Sequence, residues 1–311
     1  MGERSLANED SSSPSSQSPF LALAREIRDM IYKMVLATSL PEPRNPTDRS
    51  QRRQLSSPRY SNVIEPATWY SLQPLPSPAS CLLLTCHQVR NEIIDLFSLE
   101  QKCNKSSRYE LSITIMEERS LYPTWLLVPL VPTELASLVW VDIRNAGFCE
   151  LRMARSGWHH QNGWIPALIW GLFTMLNRFL LYGPSFSAPP VSNETTLKEI
   201  SPHLKPQCYP IRELKLLVLN VVSPTEAEMQ GKSFIPIDAR HFKKKVEGVT
   251  HPETVVKTLE NYMIGVIKRV GHAPEHSQLI YERMKLIRLC LDGKERCSWD
   301  VEEKTKLTPQ D

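Results

Sequence analysis

Residues 214–222 read LKLLVLNVV, and Lys215 and Asn220 are the only polar side chains in this stretch. A strand with one face in solvent alternates apolar and polar residues, whereas an almost continuous apolar run of this length is typical of a strand buried on both faces. We therefore predict a central strand, and we expect the rest of the chain to be arranged around the sheet that contains it.

Three further segments bear on this sheet. Residues 109–116 (YELSITIM) and 138–143 (LVWVDI) have the composition and alternation of strands. Residues 134–136 precede the second of these as a short helical turn. Residues 285–291 (KLIRLCL) fit a helix or a strand equally, because periodicity does not separate the two in so short an apolar run.

Three helical segments are predicted in the same part of the chain. Residues 165–182 (IPALIWGLFTMLNRFLLY) approach the length of about 20 apolar residues that spans a bilayer. They contain Asn177 and Arg178, and arginine is costly at membrane depth, so we interpret them as a helix buried in a soluble core. Residues 250–270 predict a second long helix, with Thr250 and Glu253 as a capping box. Residues 238–246 predict a short basic helix.

Changes in composition divide the chain. Residues 1–18 are Ser-rich and predict a disordered tail. A long segment rich in proline and arginine lacks periodicity and predicts a flexible insertion. We therefore predict an α+β fold in which an N-terminal helical region is packed on, or linked to, a mixed strand and helix body. The predicted boundaries are 19–98 for the helical region with its insertion at 37–79, 99–292 for the body and 293–311 for a frayed tail.

Composition limits the classes of function. The 37 basic residues nearly balance the 34 acidic residues, so the net charge of +3 indicates neither a nucleic-acid partner nor a membrane surface. There are 25 prolines and only 11 glycines, which disfavours glycine-rich phosphate loops. The seven cysteines contain no C-x-x-C pair, and the N-terminus has no apolar signal segment. We interpret the cysteines as reduced thiols and the protein as cytoplasmic or nuclear.

No motif for catalysis, metal binding or cofactor binding stands out. The adjacent His159 and His160 would point to opposite faces of a strand, so they do not predict a shared metal. The basic run at 240–245 is typical of a solvated helical face, with an acidic partner as the alternative. We therefore expect a protein that is not an enzyme and has no cofactor or metal. An enzyme with a scattered site remains an alternative, since triads assemble from distant positions.

Two helices are predicted near the N-terminus. Residues 21–36 place apolar side chains at helical spacing, and residues 78–97 form a second apolar face. The first face comprises Leu23, Ile27, Met30, Ile31 and Met34. The second comprises Leu82, Cys86, Val89, Ile93, Leu96 and Phe97.

The sequences of these two segments carry a resemblance. Residues 19–36 (PFLALAREIRDMIYKMVL) and 82–92 (LLLTCHQVRNE) resemble the two halves of F-box-like domains in proteins of filamentous fungi. In that family the halves typically read F-L-x-L-P-x-E-I-R-x-x-I-Y-x-x-V-L and L-L-x-T-C-R-Q-I-R-x-E, and a variable insertion separates them. This chain has Ala24 in place of the usual proline and His87 in place of the usual arginine.

The resemblance implies a function. An F-box links a substrate-recruiting domain to the Skp1-type adaptor of a cullin ubiquitin ligase, so the implied partners are that adaptor, a cullin and an unknown protein substrate. Such contacts consist of apolar anchors in a groove with a polar rim. The candidate partner-binding residues are Leu21, Leu23, Ile27, Ile31, Val35, Leu82 and Leu83.

A structural role for the same residues is the alternative. The two helices could pack against the chain's own body, which would make the protein a non-catalytic scaffold. That alternative predicts that Ile27→Asp or Ile31→Asp unfolds the protein, because each would bury an unpaired charge.

Overall fold

The fold is described from a computed structural model. The structure describes residues 18–55, 68–72, 79–102, 107–129, 134–147, 149–151, 167–186, 210–229, 231–235, 246–267 and 274–301. The predicted disordered tail, except Ser18, and the basic run at 240–245 lie outside the described residues, as does the His159–His160 pair.

The helices and strands have the following bounds. The helices are α1 (Arg25–Leu36), α2 (Ala79–Leu83), α3 (His87–Lys102), α4 (Ala167–Tyr182), α5 (Glu226–Met229), α6 (Pro252–Ile267) and α7 (Pro274–Arg283). The strands are β1 (Arg52–Arg53), β2 (Tyr70–Ser71), β3 (Ser107–Met116), β4 (Ser120–Leu127), β5 (Leu135–Ala146), β6 (Cys149–Leu151), β7 (Glu213–Val222), β8 (Phe234–Ile235), β9 (Val246–Thr250), β10 (Met284–Leu291) and β11 (Lys294–Asp300).

A six-stranded mixed sheet organises the body, in the order β11-β10-β7-β5-β3-β4. The four inner strands are parallel, and the two edge strands are antiparallel to their neighbours. Strand β7 lies between β5 and β10, and both Leu217 on one face and Val218 on the other are buried. The prediction of a central strand at 214–222 is confirmed. The segment 285–291, which left helix and strand open, belongs to strand β10.

The parallel strands follow one another across the sheet without a reversal of direction. Since crossover connections between parallel strands are right-handed, this order places the connecting helices on one face. Helices α4, α6 and α7 share the main apolar core with the sheet, and α7 contacts both of the others. This core contains Ile113 of β3, Val141 of β5 and Leu217 of β7.

Helix α4 confirms the prediction of a buried helix. Its side chains from Leu168 to Leu180 are buried with the exception of Trp170, and Phe179 packs against Tyr109 and Trp125. Its buried Arg178 donates to the Phe186 carbonyl oxygen at 2.8 Å. Within the described part of the chain, every helix is too short or too polar to cross a bilayer.

The C-terminal tail differs from the prediction. Residues 293–301 do not fray: β11 pairs with β10, and both Trp299 and Val301 are buried. Asp292 and Gly293 have φ values of 49° and 75°, the conformation of a two-residue hairpin turn. The Asp-Gly pair is the local signal for this hairpin, so the body extends to residue 301.

Strand β4 was not predicted, because Pro123 interrupts its pattern. Proline cannot donate a ladder hydrogen bond and is therefore confined to edge strands. In the structure β4 is an edge of the sheet, where that missing donor is tolerated. Residues 134–136, predicted as a helical turn, lead into and begin strand β5.

The predicted flexible insertion at 37–79 is wrong for its described residues. The Leu40 N–H donates to the Leu126 carbonyl oxygen at 2.8 Å, and the Trp69 N–H donates to the Leu121 carbonyl oxygen at 2.8 Å. Strands β1 and β2 form a small antiparallel sheet beside them. Strand β4 is an edge with unpaired backbone groups, and the insertion satisfies part of them.

Two helix boundaries also differ. The helix predicted over 78–97 is split into α2 and α3, because the exposed Cys86 thiol accepts from the Val89 N–H and starts α3 afresh. The capping box of α6 does not form: Thr250 donates its hydroxyl to Glu118, and His251 Nδ1 accepts from the Glu253 N–H.

Candidate functional site

Helices α1 and α3 form an apolar cluster of their own, separate from the main core. Its buried members are Tyr32 of α1 with Val89, Ile93 and Leu96 of α3. The Phe20 ring meets the Tyr32 ring edge-on with 5.8 Å between centroids. This cluster determines which side of α1 faces inward.

A buried ion pair lies at the centre of the cluster. The Arg28 guanidinium donates to both carboxylate oxygens of Glu92, with 2.9 Å from Nε to Oε2. Tyr32 Oη donates to Oε2 at 2.8 Å, and Gln88 Nε2 donates to Oε1 at 3.0 Å. Glu92 thus accepts four hydrogen bonds, which is the condition for burying a carboxylate without a large penalty.

Arg28 also holds the chain that leads into α1. Its Nη1 donates to the carbonyl oxygens of Leu21, at 3.2 Å, and of Leu23. One side chain therefore ties together the entry segment, α1 and α3. We call Arg28, Tyr32, Gln88 and Glu92 the polar clamp.

The electrostatics of the polar clamp favour one protonation state. The Arg28 hydrogen bond, helped by those of Gln88 and Tyr32, lowers the pKa of Glu92 to about 2. Burial, followed by the hydrogen bond to Glu92, raises the pKa of Tyr32 to about 12. The pair stays ionised and the phenol stays neutral at neutral pH, so the clamp holds α1 in one orientation.

The clamp turns the apolar side of α1 outward. Leu23, Ile27, Met30 and Met34 are 40%, 41%, 54% and 72% exposed. They follow one another at helical spacings of four, three and four residues, so they lie on one face of the helix and its entry turn. We call these four residues the α1 stripe.

The predicted binding residues fall on two sides. Leu23 and Ile27 belong to the α1 stripe, and Ile31 and Val35 are half-buried. The other three pack against the small cluster and support the pair from inside: Leu21, Leu82 and Leu83.

Sequence reasoning placed Met30 and Met34 on the apolar face of the first helix but did not include them among the binding residues, and it missed the polar clamp. Arg28 and Tyr32 are four residues apart, which places them on the same side of a helix. Both lie in the first quoted segment, and Gln88 and Glu92 have the same spacing in the second. That double spacing of polar side chains is the signal that could have identified the inward face.

Charged side chains border the α1 stripe. Arg25 donates from Nε to Asp29 Oδ1 at 2.7 Å and from Nη2 to the Glu92 carbonyl oxygen at 2.9 Å. Glu26 and Lys33 are exposed on the same helix. An apolar stripe with a charged border is the pattern of a helix that docks into an apolar groove of another protein.

Metal-binding chemistry is not indicated at this surface. Among the residues that the structure describes, no three His, Cys, Asp or Glu side chains are grouped so that they could hold a metal ion. Comparison with models of known families, with curated proteins and with solved structures finds no match to this chain.

Proposed function

We propose that the N-terminal helices act as an F-box-like module that docks a partner protein through the α1 stripe. The proposed partner is a Skp1-type adaptor of a cullin ubiquitin ligase, and the α+β body then recruits a protein substrate. In this proposal the protein works by binding, in the cytoplasm or nucleus, and performs no catalysis. The observation that carries the proposal is an exposed apolar stripe on a helix held in place from its other side.

The size of the α1 stripe supports a docking role. Burying an apolar side chain of this size contributes about 1.5–3 kcal/mol when it is complete. Part of the surface of each stripe residue is still available, so four of them together offer several kcal/mol to a partner. Methionine adapts its shape to a groove, and Met30 and Met34 are the most exposed members.

The polar clamp supports the same conclusion through preorganisation. Binding costs free energy when flexible groups must be ordered. Arg28 and Glu92 already fix the rotation of α1 about its axis, so the stripe is presented before a partner arrives.

The scaffold alternative requires the apolar side of α1 to be core. Ile27 is 41% exposed, which does not favour that role for this side chain. Leu82 and Leu83 do pack inward, so the two interpretations make opposite predictions at Ile27 and similar predictions at these leucines.

The test is binding of the full chain to a purified Skp1-type adaptor, measured by isothermal titration calorimetry. The double variant Ile27→Glu/Met30→Glu should weaken binding by about 30-fold or more, since it removes roughly 2 kcal/mol of apolar burial. The matched control is Leu72→Glu, which places a carboxylate at a 52% exposed leucine of the insertion, outside the α1 stripe. The control should bind like the original chain.

Circular dichroism must accompany the titration. The double variant should melt within a few degrees of the original chain, because both side chains already face solvent. Absence of a complex with the folded original chain at tens of micromolar adaptor would contradict the proposal. Unfolding of the double variant would favour the scaffold alternative instead.

A further inference from the structure

A cavity of about 520 Å³ lies between the insertion and the edge strand β4. The insertion supplies Leu40, Arg52 and Leu72 to its walls, β4 supplies Trp125, and the turn after α4 supplies Phe186. Its volume is within the range of pockets that bind small organic molecules, about 300–1,000 Å³.

The aromatic wall of the cavity is rigid. The Trp125 and Phe186 rings are stacked, with centroids 5.3 Å apart and planes 17° apart. Trp125 Nε1 donates to the Pro184 carbonyl oxygen at 2.8 Å. Phe186 has a φ of 55°, a left-handed conformation that costs a non-glycine residue about 1 kcal/mol or more. Four prolines also line the cavity and stiffen its walls: Pro41, Pro43, Pro123 and Pro184.

Arg52 supplies a positive charge at this wall. It donates from Nη1 to the Trp69 and Pro123 carbonyl oxygens at 3.0 and 2.8 Å, and from Nη2 to Thr124 Oγ1 at 2.7 Å. All three acceptors are neutral. A guanidinium has five N–H groups, so Nε–H and one Nη2–H remain without an acceptor in the described part of the chain.

Asp48 attracts Arg52 electrostatically but makes no ion pair with it. Among the described residues no carboxylate lies within ion-pair distance of Arg52, and burial lowers the pKa of this guanidinium. Arg53 also lines the cavity and is exposed, while Asp48 is the acidic residue among the described part of the lining. Arg49 is close by, with its guanidinium 4.6 Å from the Trp69 ring centroid. The described lining residues therefore carry a net positive charge, with Arg52 and Arg53 against Asp48.

We propose that this cavity binds a small carboxylate with an apolar body. The carboxylate pairs with the unused N–H groups of Arg52, and the apolar body lies against Trp125, Leu40 and Leu72. A charge-assisted hydrogen bond to a partly desolvated guanidinium is stronger than one between neutral groups, and the anion would pair with a guanidinium that makes no ion pair with any described carboxylate. This site does not depend on the α1 stripe or on the proposed function.

The test uses three probes on the full chain, measured by calorimetry: 4-phenylbutyrate, the neutral 4-phenylbutan-1-ol and acetate. The first carries both the charge and the apolar body, and each of the others carries one of them. We expect 4-phenylbutyrate to bind at least tenfold more tightly than either. Equal affinity for the alcohol would overturn the anionic part of the proposal, and absence of 4-phenylbutyrate binding at millimolar concentration would overturn the site.

A pair of variants locates the binding. Leu72→Glu places a like charge in the cavity, whereas Leu72→Gln changes the shape similarly without the charge. The first should reduce 4-phenylbutyrate affinity by at least tenfold relative to the second. Equal affinities of the two variants would mean that the probe binds elsewhere and would overturn the proposal. Leucine at this position is 52% exposed, so both variants should fold.

A fourth probe separates two sources of the same chemistry. A tripeptide whose last residue is phenylalanine carries its C-terminal carboxylate beside an apolar side chain. The same tripeptide with an amidated C-terminus lacks this negative charge. Tighter binding of the free tripeptide than of both its amide and 4-phenylbutyrate would identify a protein C-terminus as the ligand. Tighter binding of 4-phenylbutyrate would identify a small metabolite-sized acid.

Discussion

The Arg28 guanidinium and the Glu92 carboxylate, 64 residues apart in the chain, form a two-pronged ion pair inside the N-terminal helices. Arg28 lies on α1 and Glu92 on α3, so the pair fixes one helix against the other. Tyr32 occupies the same inward side of α1 and is fully buried. The α1 stripe faces outward for this reason, and the proposed docking surface is a consequence of a polar contact on the opposite side.

The first prediction concerns the loss of this charge. Glu92→Gln should lower the melting temperature by roughly 5 °C or more, because it leaves the buried Arg28 without its counter-ion. The matched control is Asp95→Asn on the same helix, since the Asp95 side chain is 69% exposed and lies 3.9 Å from Arg25. The control should shift the melting temperature by about 1 °C or less. Similar shifts in the two variants, measured by circular dichroism, would contradict the central role of Glu92.

The second prediction is a pH dependence with a defined sign. The pKa of Glu92 is lowered from an ordinary 4.5 to about 2 in the folded protein, so its contribution to stability is complete above pH 4.5 and is lost as the pH falls toward 2. The difference in free energy of unfolding between the original chain and Glu92→Gln should therefore shrink between pH 4.5 and 2. Urea unfolding at several pH values measures it. A difference that stays constant over this window would show that the carboxylate is not held ionised by Arg28.

The third prediction tests the phenol of the polar clamp. Tyr32→Phe keeps the packed ring and removes only the hydrogen bond to Glu92 Oε2. A hydrogen bond to a charged group contributes about 1.5–3 kcal/mol, so the free energy of unfolding should fall by roughly that amount. The same variant should leave the Phe20 contact in place. A change below about 0.5 kcal/mol would mean that water replaces the hydroxyl at no cost.

The fourth prediction concerns the last strand. Trp299→Ala should destabilise the protein by about 3–5 kcal/mol, because the side chain is 7% exposed and packs in the main core. Ser298→Ala, the neighbouring exposed position, is the control and should change the stability by less than about 0.5 kcal/mol. Equal stability of the two variants in urea unfolding would contradict the packing of β11 and support the frayed tail that the sequence predicted.

The fifth prediction concerns the attachment of the insertion to β4. Arg52→Ala removes three hydrogen bonds that hold β1 against Trp69, Pro123 and Thr124. Hydrogen exchange at the Leu40 and Trp69 amides should become severalfold faster, because local opening no longer breaks these contacts. Arg53→Ala removes the adjacent, exposed arginine and should leave the exchange rates unchanged. Equal protection in both variants would show that Arg52 does not hold the segment.

The local sequence pattern was sufficient to predict a segment where the residues of that segment are mostly apolar and therefore buried. The apolar run at 214–222 identified the central strand β7, and the apolar run at 165–182 identified the core helix α4. In both cases most of the side chains are buried, so the identity of the packing partner does not change the interpretation.

Tertiary structure decided the segments whose pattern has two solutions. Pro123 is compatible with a strand only at a sheet edge, and β4 becomes an edge through the order in which distant strands pair. The proline-rich insertion carries no periodicity, and it is ordered where the open edge of β4 accepts its backbone hydrogen bonds.

The N-terminal helix shows the same division most clearly. The sequence by itself predicted a helix over residues 21–36 with an apolar side and a polar side, and the structure has this helix from Arg25 to Leu36. It did not identify the buried side correctly, because the hydrophobic effect by itself favours burial of the apolar side. Glu92 on α3 decides it: a carboxylate that accepts four hydrogen bonds makes Arg28 and Tyr32 the stable inward side, and it leaves the α1 stripe to solvent or to a partner.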